Sequence, residues 1–325
     1  MLTLAFALAG VFSPPAVDPS FVHQAQRACA APVAQQPKLP GIKIERLAAA
    51  AGDLAKLRIT DQQSGGWLLA YYDASGERAA YARAACLGAQ LRLLALELGD
   101  MPPQQQWFST VFTTDSDYIA PPGETVNRWK IPLEADGSLG TQGQSMIVVT
   151  MPHEQVHRFQ MRAGADVPRW VQEGHAEWIS RKIKRQIAPT AAKQDEDQST
   201  RGYDSASQPV ALGNWGAIRV KREAILRQVP PEEQRKMHDD PAYTPPLSGR
   251  SFSVGPGDMI SDESNLKARY EASWRLFRDL ETAHGQGVVE RWVAGLTSRA
   301  GRVDGDTTLR TANEVLHEDL SDRLR

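Results

Sequence analysis

Two histidines four positions apart, with a glutamate after the first, form the chemically most pointed stretch of this 325-residue chain: His153-Glu154-Gln155-Val156-His157. On a helix, positions i and i+4 share one face a turn apart, so both imidazoles can reach a single ion at the roughly 2.0–2.1 Å of a zinc–nitrogen bond. Glu154 stays beside that ion without being drawn into its coordination shell, which suits it to take a proton from a bound water. A catalytic zinc site needs a third protein ligand and keeps a fourth position open. The next helical segment, Trp170-Val171-Gln172-Glu173-Gly174-His175-Ala176-Glu177-Trp178, offers a carboxylate in Glu173. Two helices antiparallel across a short turn would set Glu173 opposite the histidine pair. Without that third ligand, the pair would read as two surface histidines on a helix.

HEQVH and PRWVQEGHAEW together resemble the gluzincin metallopeptidases of the peptidase MA-like superfamily, the group typified by thermolysin and the zinc aminopeptidases. In that family H-E-x-x-H is followed one helix later by a glutamate ligand in a W-x-x-E-G-x-A context. The similarity covers mainly residues 106–186 and, more weakly, the segment 266–295. It implies one Zn2+ ion held by His153, His157 and Glu173, Glu154 as general base, and a peptide or protein substrate. Glu177, one helical turn beyond Glu173, resembles the acidic residue that gluzincins use to hydrogen-bond a ligand histidine from outside the metal shell.

Gluzincins also stabilise the oxyanion with a Tyr or His from a later segment. Tyr270, which opens KARYEASWRLFRDLETAHG, is the candidate, although Tyr270, Trp274 and Phe277 also make a plain helical core stripe. Tyr203, Tyr243 and His238 are its rivals. His175 falls about 200° around the helix from Glu173 and reads as a packing or surface histidine. The metzincin pattern fails, because RFQMRAG after His157 has neither the required glycine nor a third histidine. No G-x-M-E-N segment precedes His153, which favours endopeptidase over aminopeptidase action. Two other functions fit the same ligands: an inert zinc-stabilised peptide-binding module, against which Glu154 speaks, and a zinc hydrolase of a non-peptide amide or ester.

The elements that must position these residues give an α+β chain: an N-terminal helical and strand region, a small sheet, a two-helix metal core and a mostly helical C-terminal lobe. Residues 1–16 contain an apolar run of signal-peptide length, too short to span a bilayer, and suggest export to the periplasm or outside the cell; a cytoplasmic protein with a bland apolar start is the alternative. Residues 17–40, rich in Pro, Ala and Gln, read as a linker, followed by a helical and strand region at 41–100 and the metallopeptidase-like domain at 101–325. Strands are expected at Gly41–Leu47, Gln106–Thr113, Val126–Leu133 and Ser145–Thr150. Helices are expected at Glu77–Leu98, Pro152–Arg162, Pro168–Gln186, Leu266–His284, Gly287–Leu296 and Thr311–Leu324. Gly164 suits the end of the first metal helix, and Pro152 suggests that this helix begins late. Ala188–Pro209 and Val229–Asn265 read as long loops around shorter elements, placed to wall the cleft.

Composition narrows the function further. With 37 Lys+Arg against 39 Asp+Glu the net charge is −2, so no basic field exists to gather nucleic acid. Only two cysteines are present, too few for a Cys-based zinc finger. Cys29 and Cys86 are either a disulfide, which would fit export, or two unrelated buried thiols. No further stretch is long and apolar enough for an integral membrane segment, and oligomeric state is not readable.

Overall fold

The arm expected to be a linker carries a helix, α1 (Pro19–Ala30), in the computed structural model. Asp18 caps it by accepting from the Ser20 amide at 2.8 Å, and Pro19 occupies its first turn, where a missing N–H costs nothing. Phe21, Ala25, Ala28 and Cys29 recur at helical spacing and are buried. The structure describes residues 17–49, 53–99, 106–120, 128–240, 242–243, 245, 253 and 255–325. The signal-peptide expectation at 1–16 lies outside them.

Strands β1 (Ile42–Leu47), β2 (Ala55–Asp61) and β3 (Trp67–Tyr72) form a meander in which each pairs antiparallel with the next. The helix α2 (Glu77–Leu98) then crosses over to β4 (Gln106–Thr113), which pairs parallel with β3 and with β5 (Arg128–Pro132), giving the sheet order β1-β2-β3-β4-β5. A division at residue 100 would cut this sheet between β3 and β4, so the regions 41–100 and 101–325 share one sheet and one core. α2 is apolar nearly all round because it is covered on every side, by the sheet, by α1 and by the helix at residues 169–187.

A disulfide joins Cys29 of α1 to Cys86 of α2 across 57 residues of sequence. Closing a loop of that length stabilises the fold by about 4 kcal/mol when the unfolded chain is the main thing constrained. Replacing both cysteines by alanine is therefore expected to lower the unfolding free energy by about 2–4 kcal/mol in guanidinium titrations. Coincident curves for wild type and variant would show that the bridge stabilises nothing.

After β5 comes α3 (Thr141–Ser145), then a π-helical turn at Met146–Thr150 that runs directly into α4 (Met151–Gln160). The expected strand at Ser145–Thr150 is thus helical. A short apolar run suits a buried helix as well as a strand, and Ile147 and Val148 are buried here. Nor does the helix begin late. Pro152 offers no N–H to the preceding turn, and the wider π turn lets the chain pass through it helically. Gly164 (φ 73°) ends the following 3-10 turn in the left-handed region that glycine adopts without penalty. The link β6 (Ala165–Asp166) then leads into α5 (Arg169–Ile187).

The supposed loop at Ala188–Pro209 is largely a helix, α6 (Pro189–Asp204). Its polar sequence hides it, since Ala192 alone is buried. Then follow β7 (Ile218–Val220), α7 (Arg222–Leu226), α8 (Pro231–Asp239) and β8 (Met259–Ser261), with β7 and β8 forming a two-stranded ribbon. The C-terminal lobe consists of α9 (Leu266–His284), α10 (Gln286–Thr297), β9 (Gly301–Arg302) and α11 (Gly305–Leu316). The last helix begins earlier than expected because Asp304 caps it through the Thr307 amide at 2.8 Å. It stops at His317, whose φ of 56° turns the chain, and a short 3-10 turn covers Ser321–Leu324. α9 lies along α5, and Gly174 permits the contact: a Cβ there would stand 2.7 Å from the buried Phe277 ring. Among the described residues, no helix is long and apolar enough to cross a membrane.

Candidate metal centre

α4 and α5, joined by the turn at Gly164, carry the two halves of the cluster. His153 and His157 lie on one face of α4, their ring centroids 4.6 Å apart. From α5, Glu173 reaches between them: its Oε2 lies 3.2 Å from His153 Nε2 and 3.3 Å from His157 Nε2. All three side chains are buried, and their donor atoms lie within 4.8 Å of one another. This buried group can hold a metal ion, and it is the single such group of His, Cys, Asp or Glu side chains among the described residues.

Both histidines are held from behind. His153 Nδ1 stands 2.9 Å from Glu177 Oε1. The other oxygen of Glu177 accepts from Arg181 Nε at 3.0 Å, and Arg181, only 1 % exposed, donates onward to Glu271 at 2.8 Å. Buried charges demand such pairing, because each would otherwise be stranded away from water. Burial works against the ionised Glu177, yet Lys184, His153 and Arg181 together hold its carboxyl well below the ordinary range. On the other side, His157 Nδ1 lies 2.8 Å from Gln160 Oε1.

The charge balance prepares the cluster for a cation. Burial opposes the ionised form of Glu173, but the two facing histidines outweigh it and hold the carboxyl down at about 2. Burial likewise disfavours protonated His153, and hydrogen bonds to Glu173 and Glu177 overcome it, lifting this imidazole to about 9. A metal ion entering the cluster therefore competes with that proton. Glu154 lines the cleft beside this group and is half-buried; burial raises its carboxyl above the ordinary value, with His153 and His157 pulling the other way.

Tyr270 borders the cluster, its ring centroid 6.0 Å from that of His153 and 5.1 Å from Trp215. Burial and the nearby Glu173 raise its hydroxyl pKa, while Arg169 opposes them. Trp274 and Tyr270 are half-buried, so of the supposed core stripe only Phe277 is fully enclosed. Two clefts flank the ligands. The smaller, about 300 Å³, is lined by His153, Glu154, Glu177 and Tyr270 and walled by Asp195, Gln198 and Ser199 of α6. The larger, about 880 Å³, opens beside Glu173 and Arg169 and is walled by Trp215, Gly216 and Arg302.

The segment 188–209 thus contributes a wall, as a helix, whereas the described residues of 229–265 line neither cleft. Tyr203, Tyr243 and His238 line neither cleft either; Tyr203 stacks against Arg275 at 4.1 Å and Tyr243 hydrogen-bonds Glu233 at 2.5 Å. His175 is fully buried behind the ligands, bridging Gln160 and Glu290.

Three supporting residues escape a sequence reading. Gln160 is three residues past His157, and Arg169 four before Glu173, with its Nε 3.6 Å from that carboxylate, so helical spacing could have found both. Glu290 meets His175 from 115 residues away, and no local pattern foretells that. No protein-family model matches the chain, and no curated protein matches it.

Proposed function

We propose that the chain is a gluzincin-like zinc metallopeptidase that hydrolyses peptide bonds, with endopeptidase action favoured. The observation that carries this reading is the spacing of the three ligand atoms. Donors at about 2.0–2.1 Å from a tetrahedral ion stand roughly 3.3–3.4 Å apart. Glu173 Oε2 lies 3.2 and 3.3 Å from the two imidazole nitrogens, so the carboxylate stands from each histidine at the spacing that zinc requires. Two histidines and one carboxylate also leave a fourth position free, as catalytic rather than structural zinc sites do. When bound, the ion would polarise the scissile carbonyl and acidify a water.

The remaining steps belong to the chain's own side chains. Glu154 faces the cleft beside the ligands and is placed to accept the water's proton and return it to the departing amine. Tyr270, across the same cleft, carries a protonated hydroxyl suited to hydrogen-bond the developing oxyanion. Glu177, Arg181 and Gln160 keep the histidines from turning. The two clefts flank the ligands and give an extended peptide room on either side.

The test is hydrolysis of a fluorogenic peptide library by the purified protein before and after chelation. Turnover should fall to background on chelation and return with added zinc. Turnover indifferent to chelation, or no peptide cleaved by zinc-loaded protein, would reject the assignment. The disulfide supports export, since such bonds persist in oxidising compartments. Cell fractionation that found the chain only in the cytoplasm, with both thiols free, would contradict it.

A further inference from the structure

Behind the metal ligands lies a buried polar chain that the proposed reaction does not use. Gln160, 2 % exposed, sits at the end of α4 with its Oε1 2.8 Å from His157 Nδ1. Its Nε2 lies 2.8 Å from the carbonyl of Gln172, the residue before Glu173, and 3.1 Å from His175 Nδ1. His175 is fully buried, enclosed by the rings of Trp178 and Phe277, and its Nε2 is 3.3 Å from both carboxylate oxygens of Glu290 on α10.

Donor and acceptor counting fixes every proton in this chain. The Glu290 carboxylate only accepts, so His175 Nε2 carries a hydrogen and, in the neutral ring, Nδ1 accepts. The Gln172 carbonyl also only accepts. Both hydrogens of the Gln160 amide are then committed, one to the carbonyl and one to His175, which turns its oxygen toward His157. His157 must therefore donate from Nδ1, leaving Nε2 bare and aimed at Glu173 and His153. That is the tautomer metal coordination requires.

We infer that Glu290, His175 and Gln160 form a positioning relay that holds His157 in its metal-binding tautomer and orientation. The two ligand histidines are thus held differently, His153 by the carboxylate of Glu177 and His157 by a neutral amide whose direction is set by His175, itself paired with Glu290 115 residues further on. The inference rests on the reading of the cluster as a zinc site, and zinc affinity separates the two.

Zinc binding is measured by competition with a chromophoric chelator for wild type, Gln160→Leu, Gln160→Glu and His175→Phe, with circular dichroism of each metal-free protein as the check on folding. Gln160→Leu keeps the bulk and removes the acceptor, so binding should weaken about 10–100-fold, the usual cost of losing an outer-shell partner. Gln160→Glu keeps an acceptor facing His157 and should bind zinc more tightly than Gln160→Leu, although it places a charge in a buried position. His175→Phe retains the ring and loses the relay, and should weaken binding in a folded protein. A purely packing role predicts the reverse order, with leucine benign and glutamate harmful. Zinc affinity in Gln160→Leu within about twofold of wild type would overturn the relay while leaving the metal site standing. A folded wild type without zinc affinity would overturn both.

Discussion

Replacing Glu154 by glutamine is expected to reduce peptide hydrolysis by about 10²–10⁴-fold, the range for losing a general base, while zinc content stays at the wild-type level. The two halves of this expectation come from different features. Glu154 lies outside the His153, His157 and Glu173 group, so the ligand atoms keep their spacing when it changes. Its carboxyl lines the cleft beside His153 and Tyr270, and burial raises its pKa toward the range where a carboxylate both binds and releases a proton readily. Glutamine preserves shape and hydrogen-bonding reach but cannot take up the proton. Initial rates with a cleaved peptide, set beside metal analysis of the same preparations, decide the matter. Residual turnover within tenfold of wild type would exclude Glu154 as the base, and loss of zinc would recast it as a ligand.

The second large effect is expected from Glu173→Ala. Glu173 is the one carboxylate between the imidazoles, and its removal takes away a ligand and the negative charge that favours a cation there. The loss of zinc affinity should exceed the roughly 100-fold upper range for removing an outer-shell contact, because a bond to the ion itself is broken. The purified variant should carry far less than one zinc per chain and show no turnover. Arg169 and Tyr270, which both interact with Glu173, lose a partner in the same variant, so its thermal stability needs measuring alongside. Full zinc occupancy with unchanged affinity would remove Glu173 from the ligand set.

Much of the cluster could be read from residue types because it is built from helical spacing. The i, i+4 relation places His153 with His157 and Glu173 with Glu177, and that relation survives in any helix. The α+β character, α2 and α9 were legible for a similar reason, their long apolar periodicity, and β4 as a short run of aromatic and β-branched residues. Segments whose structure depends on partners were not. α6 is polar on nearly all sides and is secured by packing on α9 and by pairs to α5, Lys184 with Asp195 and Arg185 with Glu196. Met146–Thr150 has the composition of a strand but lies inside a helical run, where burial rather than propensity decides. The α1 arm is short, and its apolar face is meaningful only against α2 and α5. The Glu290 contact to His175 joins distant segments, so it emerges only once α10 is folded against α5.

The most direct examination of the whole account is an anomalous difference map from zinc-loaded crystals, collected on both sides of the zinc absorption edge. One strong peak should appear between His153 Nε2, His157 Nε2 and Glu173 Oε2, about 2.0–2.2 Å from each, with a solvent molecule completing the shell. A map with no peak there, or with the ion held by other side chains while these three stay as they are, would contradict it.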